Sequence, residues 1–144
     1  MIYLDYAASA PVRSQSLKVL TKSMGEDFAN PSAGHKLGKN LKKRVEQARG
    51  DFLELLQAKS HYKFIFTSSA TESNNTAIKG IGLKKGEKVY CHLGDHPSLI
   101  RPLEACGVTL LPIPILKGGD IDLVSLLQDF DHEAKALVLA HVNK

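Results

Sequence analysis

Apolar residues recur along this chain with two different periods. Val12, Leu17, Leu20 and Met24 suggest a first helix that begins soon after Pro11. The Asn30-Pro31-Ser32-Ala33-Gly34 stretch breaks it and opens the next element. Leu37, Leu41, Val45, Ala48, Phe52 and Leu55 then fall every three or four residues, one apolar stripe on a long helix. Gly34 and Gly38 stand near its start, where glycine costs helix stability unless the backbone must come close to something. Residues 62–67, aromatic and β-branched, read as a strand. A helix over 71–81, a short strand over 88–91 and a helix over 97–106 follow. Next come a strand over 108–113, closed by Pro112 and Pro114, and a short helix over 122–127. Residues 136–140 form an uninterrupted apolar run, as expected of a buried parallel strand. This alternation predicts an α/β fold with a mostly parallel sheet flanked by helices. No internal repeat, low-complexity tract or linker divides the pattern. The chain closes at Lys144, just after the last strand, where a doubly wound domain would normally continue.

Composition narrows the class. With 144 residues, 43% hydrophobic and 24% charged, the chain can bury a core and is expected to be ordered. No apolar run approaches the ~20 residues needed to cross a bilayer. The first residues lack the charged and apolar regions of a secretory signal. Two cysteines, Cys91 and Cys106, make no disulfide framework and read as buried core thiols in a reduced, cytoplasmic setting. Much of the +4 net charge sits in Lys36, Lys39, Lys42, Lys43 and Arg44. No aromatic residues interleave with them as a single-strand binding surface would want, so they read as the solvated face of the long helix. No direct nucleic-acid or membrane partner is expected.

The segment richest in chemistry is Phe66-Thr67-Ser68-Ser69-Ala70-Thr71-Glu72-Ser73-Asn74-Asn75, which joins the predicted strand to a helix. Ser69 and Glu72 have capping-box spacing. The first helical turn leaves N–H groups free at the positive end of the helix dipole, where a phosphate is well served. Many such turns bind nothing, and by itself this one reads first as a plain cap. His96 before Pro97 alone would read as an exposed loop histidine. Cys91, His92 and His96 suggest a zinc site only weakly, since Cys91 and His92 close a strand and no second ligand pair is evident.

Five segments in order resemble those of cysteine desulfurases in the class V aminotransferase group. Thr67–Asn75 with Ala77-Ile78-Lys79-Gly80 resembles the family's phosphate-binding signature, with Ser69 where glycine is usual. Tyr3-Leu4-Asp5-Tyr6-Ala7-Ala8-Ser9-Ala10-Pro11 resembles its opening motif, and Asn30-Pro31-Ser32 with Gly34-His35 the next one. Gly94-Asp95-His96-Pro97-Ser98 resembles the segment whose histidine stacks on the cofactor ring, with Asp95 where glutamate is usual. Ala140-His141-Val142-Asn143 resembles the segment whose asparagine contacts the cofactor's phenolic oxygen.

The resemblance implies a partial large domain of the fold-type-I class that binds pyridoxal 5′-phosphate. Residues 1–30 would be an N-terminal segment and 31–144 the first half of that domain. It also implies roles. Ala70, through its backbone, and Thr71 would hold the phosphate. His96 would lie over the ring and take part in proton transfer. Asn143 would bond the phenolic oxygen, and Ala8 and Ser9 would lie on the substrate's entry side. The family's Schiff-base lysine, pyridine-nitrogen acid and persulfide-forming cysteine lie beyond the matched segments. Lys79, Lys144, Cys91 and Cys106 do not match them. The chain is therefore expected to be part of a longer enzyme, or a natural truncation, and to be inactive alone. Its retention of the cofactor is left open. The parent would be a homodimer that moves sulfur from L-cysteine to its own cysteine and on to an acceptor protein, for iron–sulfur assembly or thiolation of transfer RNA. A selenocysteine lyase, another class V enzyme, or a non-catalytic module that pairs through exposed sheet surface are the alternatives.

Overall fold

A computed structural model describes residues 2–6, 8–58 and 61–141. The chain forms two compact units, Met1–Phe66 and Thr67–Lys144.

The first unit contains α1 (Ser14–Glu26) and α2 (Lys36–Leu55). The turn between them is built by Asn30, whose Oδ1 accepts from the Ser32 N–H at 2.8 Å and whose carbonyl accepts from the Ala33 N–H. His35 caps α2, its Nδ1 accepting from the Gly38 N–H at 3.3 Å. Of the two glycines flagged by the sequence, only Gly38 faces a close approach. A Cβ there would stand 2.6 Å from the Ala33 carbonyl oxygen and 2.7 Å from that of Asn30, whereas one at Gly34 would meet nothing within 4 Å. Gly38 thus lets the turn fold back onto the start of α2.

Residues 62–67, expected to be a strand, form no ladder. Phe64 stacks on Phe52 of α2 with ring centroids 4.6 Å apart, and Phe66 meets Phe52 edge-on at 6.0 Å. Arg49 donates to the Phe64 carbonyl at 2.6 Å, and its guanidinium lies 5.3 Å from the centre of the Phe66 ring. The β-prone composition reports a preference for a half-buried surface, and here a helix face supplies that surface.

The second unit is a three-layer α/β arrangement. Its sheet runs in the order β2-β1-β3, all parallel, with β1 (Lys88–Cys91) central, β2 (Thr109–Pro112) and β3 (Ala136–Val138) outside. Side chains on a strand alternate between faces, and both faces of β1 are covered. Val89 and Cys91 pack with Ile78 of α3 (Ala70–Gly80) and Leu103 of α4 (Pro97–Ala105). On the opposite face Tyr90 packs with Ile113 and with Leu126 of α5 (Leu123–Gln128). Central burial on two faces explains why 88–91 reads as one apolar-biased run.

Burial falls off toward the outer strands. The run 136–140 is a shorter strand than its pattern suggests, and Leu137 is 51% exposed. Cys106, expected to be buried, is half-buried, because it ends α4 instead of entering the core, while Cys91 is fully buried and both are free thiols. Burial first, and then the nearby Asp95 carboxylate, push the Cys91 thiol above its ordinary pKa. That holds it in the unreactive protonated form. At the start of β1, Lys88 bonds Asp131 and Glu133, each at 2.8 Å, and both raise its pKa. No helix among the described residues is long and apolar enough to cross a membrane.

Candidate functional site

The turn into α3 is built from hydroxyl groups and one carboxylate. Ser69 is the N-cap, its Oγ accepting from the Glu72 N–H at 3.2 Å. The reciprocal half of the predicted capping box is displaced by one residue. Glu72 Oε2 accepts from the Ser68 N–H and from Ser68 Oγ, both at 2.6 Å, rather than from the Ser69 N–H. Ser68 offers one carboxylate oxygen two donors, which a bare N–H at the cap cannot. Thr67 and Ser73 close the turn through hydroxyls 2.7 Å apart. Ser69 has φ −167°, an extended conformation open to any residue, so its side chain costs no backbone strain where the resembling family has glycine.

These contacts leave the N–H groups of Ala70 and Thr71 without an acceptor among the described residues. They are the first two helical positions, where no intrahelical carbonyl is in reach. Two free donors stand at the positive end of α3, where Thr71 also carries a hydroxyl, a donor set suited to an anion such as phosphate.

Hydrogen bonds from Ser68, the hydroxyl first and then the N–H, hold the Glu72 carboxyl below its ordinary pKa. A depressed pKa means that this ordering is complete above the ordinary value of 4.5 and is lost as pH falls through the lower, folded value. In an acid titration the Ser68 amide resonance is therefore expected to move with Glu72, with a midpoint below 4.5. Glu72→Gln should abolish that transition. A Ser68 amide that does not respond to acid in the unaltered chain would refute the coupling.

The helix that follows β1 starts at His96. Pro97 takes the first helical position, and the His96 Nδ1 accepts from the Ser98 N–H at 3.1 Å. Ser98, 7% exposed, also places its Oγ 2.8 Å from the same Nδ1 and 2.9 Å from Asn74 Nδ2 on α3. Between α3 and α4 lies a cleft of about 450 Å³, lined by Thr71, Asn75, Lys79, His96, Ser98 and Arg101 among others. The fold thus brings Thr71 and His96, 25 positions apart in sequence, onto one cleft, and sets Lys79 and Arg101 along its wall. Arg101 is engaged by Glu104 at 2.9 Å.

Asp95 lies just before this helix and is buried, with its side chain 1% exposed. Its Oδ2 accepts from the Ala140 N–H at 2.9 Å, and its Oδ1 lies 3.4 Å from His92 Nδ1. One carboxylate therefore ties the loop after β1 to the segment after β3, at the carboxyl ends of the strands where such sheets gather ligands. Asn143 lies outside the described residues. Ala8 and Ser9 belong to the first unit, in a turn where both N–H groups donate to the Asp5 carbonyl and Tyr3 Oη donates to that of Ser9.

Comparison with known families matches residues 2–144 to the class-V aminotransferases. The chain belongs to that family. Among its relatives, the cysteine desulfurase IscS of Dictyoglomus turgidum is 32% identical over 99% of this chain and 37% of its own length. The class-V chain thus spans a little over a third of the curated relatives it matches. Among solved structures, a NifS-like protein aligns with TM-score 0.80 at 21% identity, over 92% of this chain and 38% of the other. A variant of C-DES with glycine covalently linked to its PLP cofactor aligns with TM-score 0.72 at 16% identity, over 90% and 35%. These likenesses establish a partial PLP-transferase fold for this class-V chain. Asn74, Ser98 and the clasp made by Asp95 are site features that apolar periodicity did not reveal. Pro97 was the available signal, since proline at the first helical position makes His96 the cap.

Proposed function

We propose that this class-V chain is the amino-terminal part of a cysteine desulfurase that uses pyridoxal 5′-phosphate. Residues 31–144 would be the first half of the cofactor-binding domain and 1–30 a separate N-terminal segment. The parent enzyme takes sulfur from L-cysteine onto its own cysteine as a persulfide, leaving L-alanine, and passes it to an acceptor protein. The acceptor would serve iron–sulfur assembly or thiolation of transfer RNA, and the parent would be a homodimer in the cytoplasm. The observation that carries this reading is that Thr71 and His96, drawn from separate motifs as the phosphate end and the ring end of one ligand, line a single cleft.

The donor set fits the cofactor. Ala70 and Thr71 would hold its phosphate, and His96 would face its ring. Asn143 would bond its phenolic oxygen, and Ala8 and Ser9 would lie toward the substrate. When bound, the cofactor supplies an electron sink for the bond broken at the substrate. This chain's own residues neutralise the phosphate, orient the ring and present an imidazole for proton transfer. Residues 1–144 alone are proposed not to turn over L-cysteine, since the lysine and cysteine of the family lie beyond the matched segments.

The test uses pyridoxine 5′-phosphate, which has no aldehyde to react with surface lysines, and follows binding by calorimetry. The unaltered chain should bind it in preference to pyridoxine, with inorganic phosphate competing. Thr71→Ala should weaken binding about 10-fold or more, as expected for loss of a hydrogen bond to a charged group, roughly 1.5–3 kcal/mol. Equal affinity for pyridoxine and its phosphate would overturn the reading.

A further inference from the structure

His96, Ser98 and Asn74 form a hydrogen-bonded chain whose direction follows from chemistry. A backbone N–H can only donate, and the Ser98 N–H points at the His96 Nδ1 at 3.1 Å. Nδ1 must therefore be an acceptor. It cannot carry a proton, so in the neutral ring the proton is on Nε2. Ser98 Oγ, 2.8 Å from the same Nδ1, then has to donate to it. Having spent its one hydrogen, that Oγ accepts from Asn74 Nδ2, 2.9 Å away on the neighbouring helix. With Asn74 donating through Nδ2, every donor finds an acceptor in this order.

Burial makes the order binding. Ser98 is 7% exposed and Asn74 is half-buried, so water does not freely exchange for either partner. His96 itself is exposed and lines the cleft, and its Nε2 has no partner among the described residues. One side of the ring is thus fixed by the protein and the other is offered to a ligand.

We propose that Asn74 and Ser98 are positioning residues that hold His96 as the Nε2–H tautomer, so that the imidazole offers the cleft a hydrogen-bond donor. This deepens the reading of His96 as the group facing the cofactor ring and rests on it for its catalytic meaning. The tautomer itself does not. A ring held this way can give a proton or hydrogen bond from Nε2. To take one up at Nε2 it must first have given up the proton held there, and protonation at Nδ1 instead breaks the cap at Ser98. Asn74 and Ser98 therefore bias His96 toward donation, and they join α3, which begins at the anion site, to the start of α4.

The experiment is a long-range proton–nitrogen correlation spectrum of the whole chain labelled with nitrogen-15 at histidine, without cofactor. His96→Gln identifies the signals by their loss. The expected pattern is an acceptor-like Nδ1 far downfield of a proton-bearing Nε2. Asn74→Ala and Ser98→Ala should each move the two shifts part of the way toward the averaged values of exchanging tautomers, since the Ser98 N–H stays as a donor to Nδ1. Asn74→Gln, which keeps the amide donor, should move them less than Asn74→Ala. A proton-bearing Nδ1 in the unaltered chain overturns the proposal whether or not any variant folds. Shifts unchanged in both alanine variants, with folding confirmed by circular dichroism, overturn it as well. The cofactor-binding test can fail while the tautomer stands, so the two readings are separable.

Discussion

Leu103→Ala is expected to destabilise the second unit by about 2–5 kcal/mol, the usual range for truncating a fully buried leucine. Leu103 is 0% exposed and stands on α4 against β1, in a cluster with Ile78, Val89 and Cys91. Leu99, Ile100, Val108, Leu110, Ala136 and Val138 pack around that cluster, so its neighbours come from both flanking helices and all three strands. Such a site has little freedom to collapse, which places the cost in the upper part of the range. Small domains are stable by only about 5–15 kcal/mol, so the variant should unfold at a much lower urea concentration. The chain has no tryptophan, and circular dichroism is the practical probe. The change should also loosen the cleft, because α4 carries His96 and Ser98 at the end opposite Leu103. A loss under about 1 kcal/mol would mean that the helices close over the gap and that the core does not fix their spacing.

The same helix shows which features the sequence carries and which it hides. Apolar periodicity placed α2, α4 and the central strand to within a residue or two, because those segments bury a definite face. Strand propensity misplaced 62–67, where aromatic and β-branched residues lie on a helix face and form no ladder. The turn into α3 was legible in its hydroxyl residues, its free N–H groups being a necessary consequence of helix geometry. The displaced contact of Glu72 was not, since Ser68 and Ser69 are the same residue type and only the geometry separates them. Links across elements are the least legible. Asn74 and Ser98 are 24 positions apart, and nothing in either local pattern says that they touch. Thr71 and His96 came to one ligand by family resemblance alone, and the fold supplied the cleft that joins them.

Asp95→Ala is expected to cost about 1–3 kcal/mol, the penalty for leaving a part-buried donor without its acceptor. The effect should be concentrated at the carboxyl ends of β1 and β3. With its side chain 1% exposed, Asp95 accepts from the Ala140 N–H at 2.9 Å and faces His92 at 3.4 Å. A buried carboxylate is tolerated only when hydrogen bonds replace its water, and the Ala140 bond is part of that replacement. Removing it releases the segment after β3 from the loop that leads into His96. Asp95→Asn keeps the shape and an acceptor oxygen, so it should cost less. Asp95→Glu adds a methylene to a buried side chain and should be destabilising despite its charge, even though the resembling family usually has glutamate there. Hydrogen exchange separates these cases from a general loss of stability. The Ala140 amide should exchange much faster in Asp95→Ala than in the unaltered chain, beyond any change at Val89 in the centre of the sheet. Equal acceleration at Ala140 and Val89 would show that Asp95 supports the fold as a whole, and the clasp between the two strand ends would be refuted.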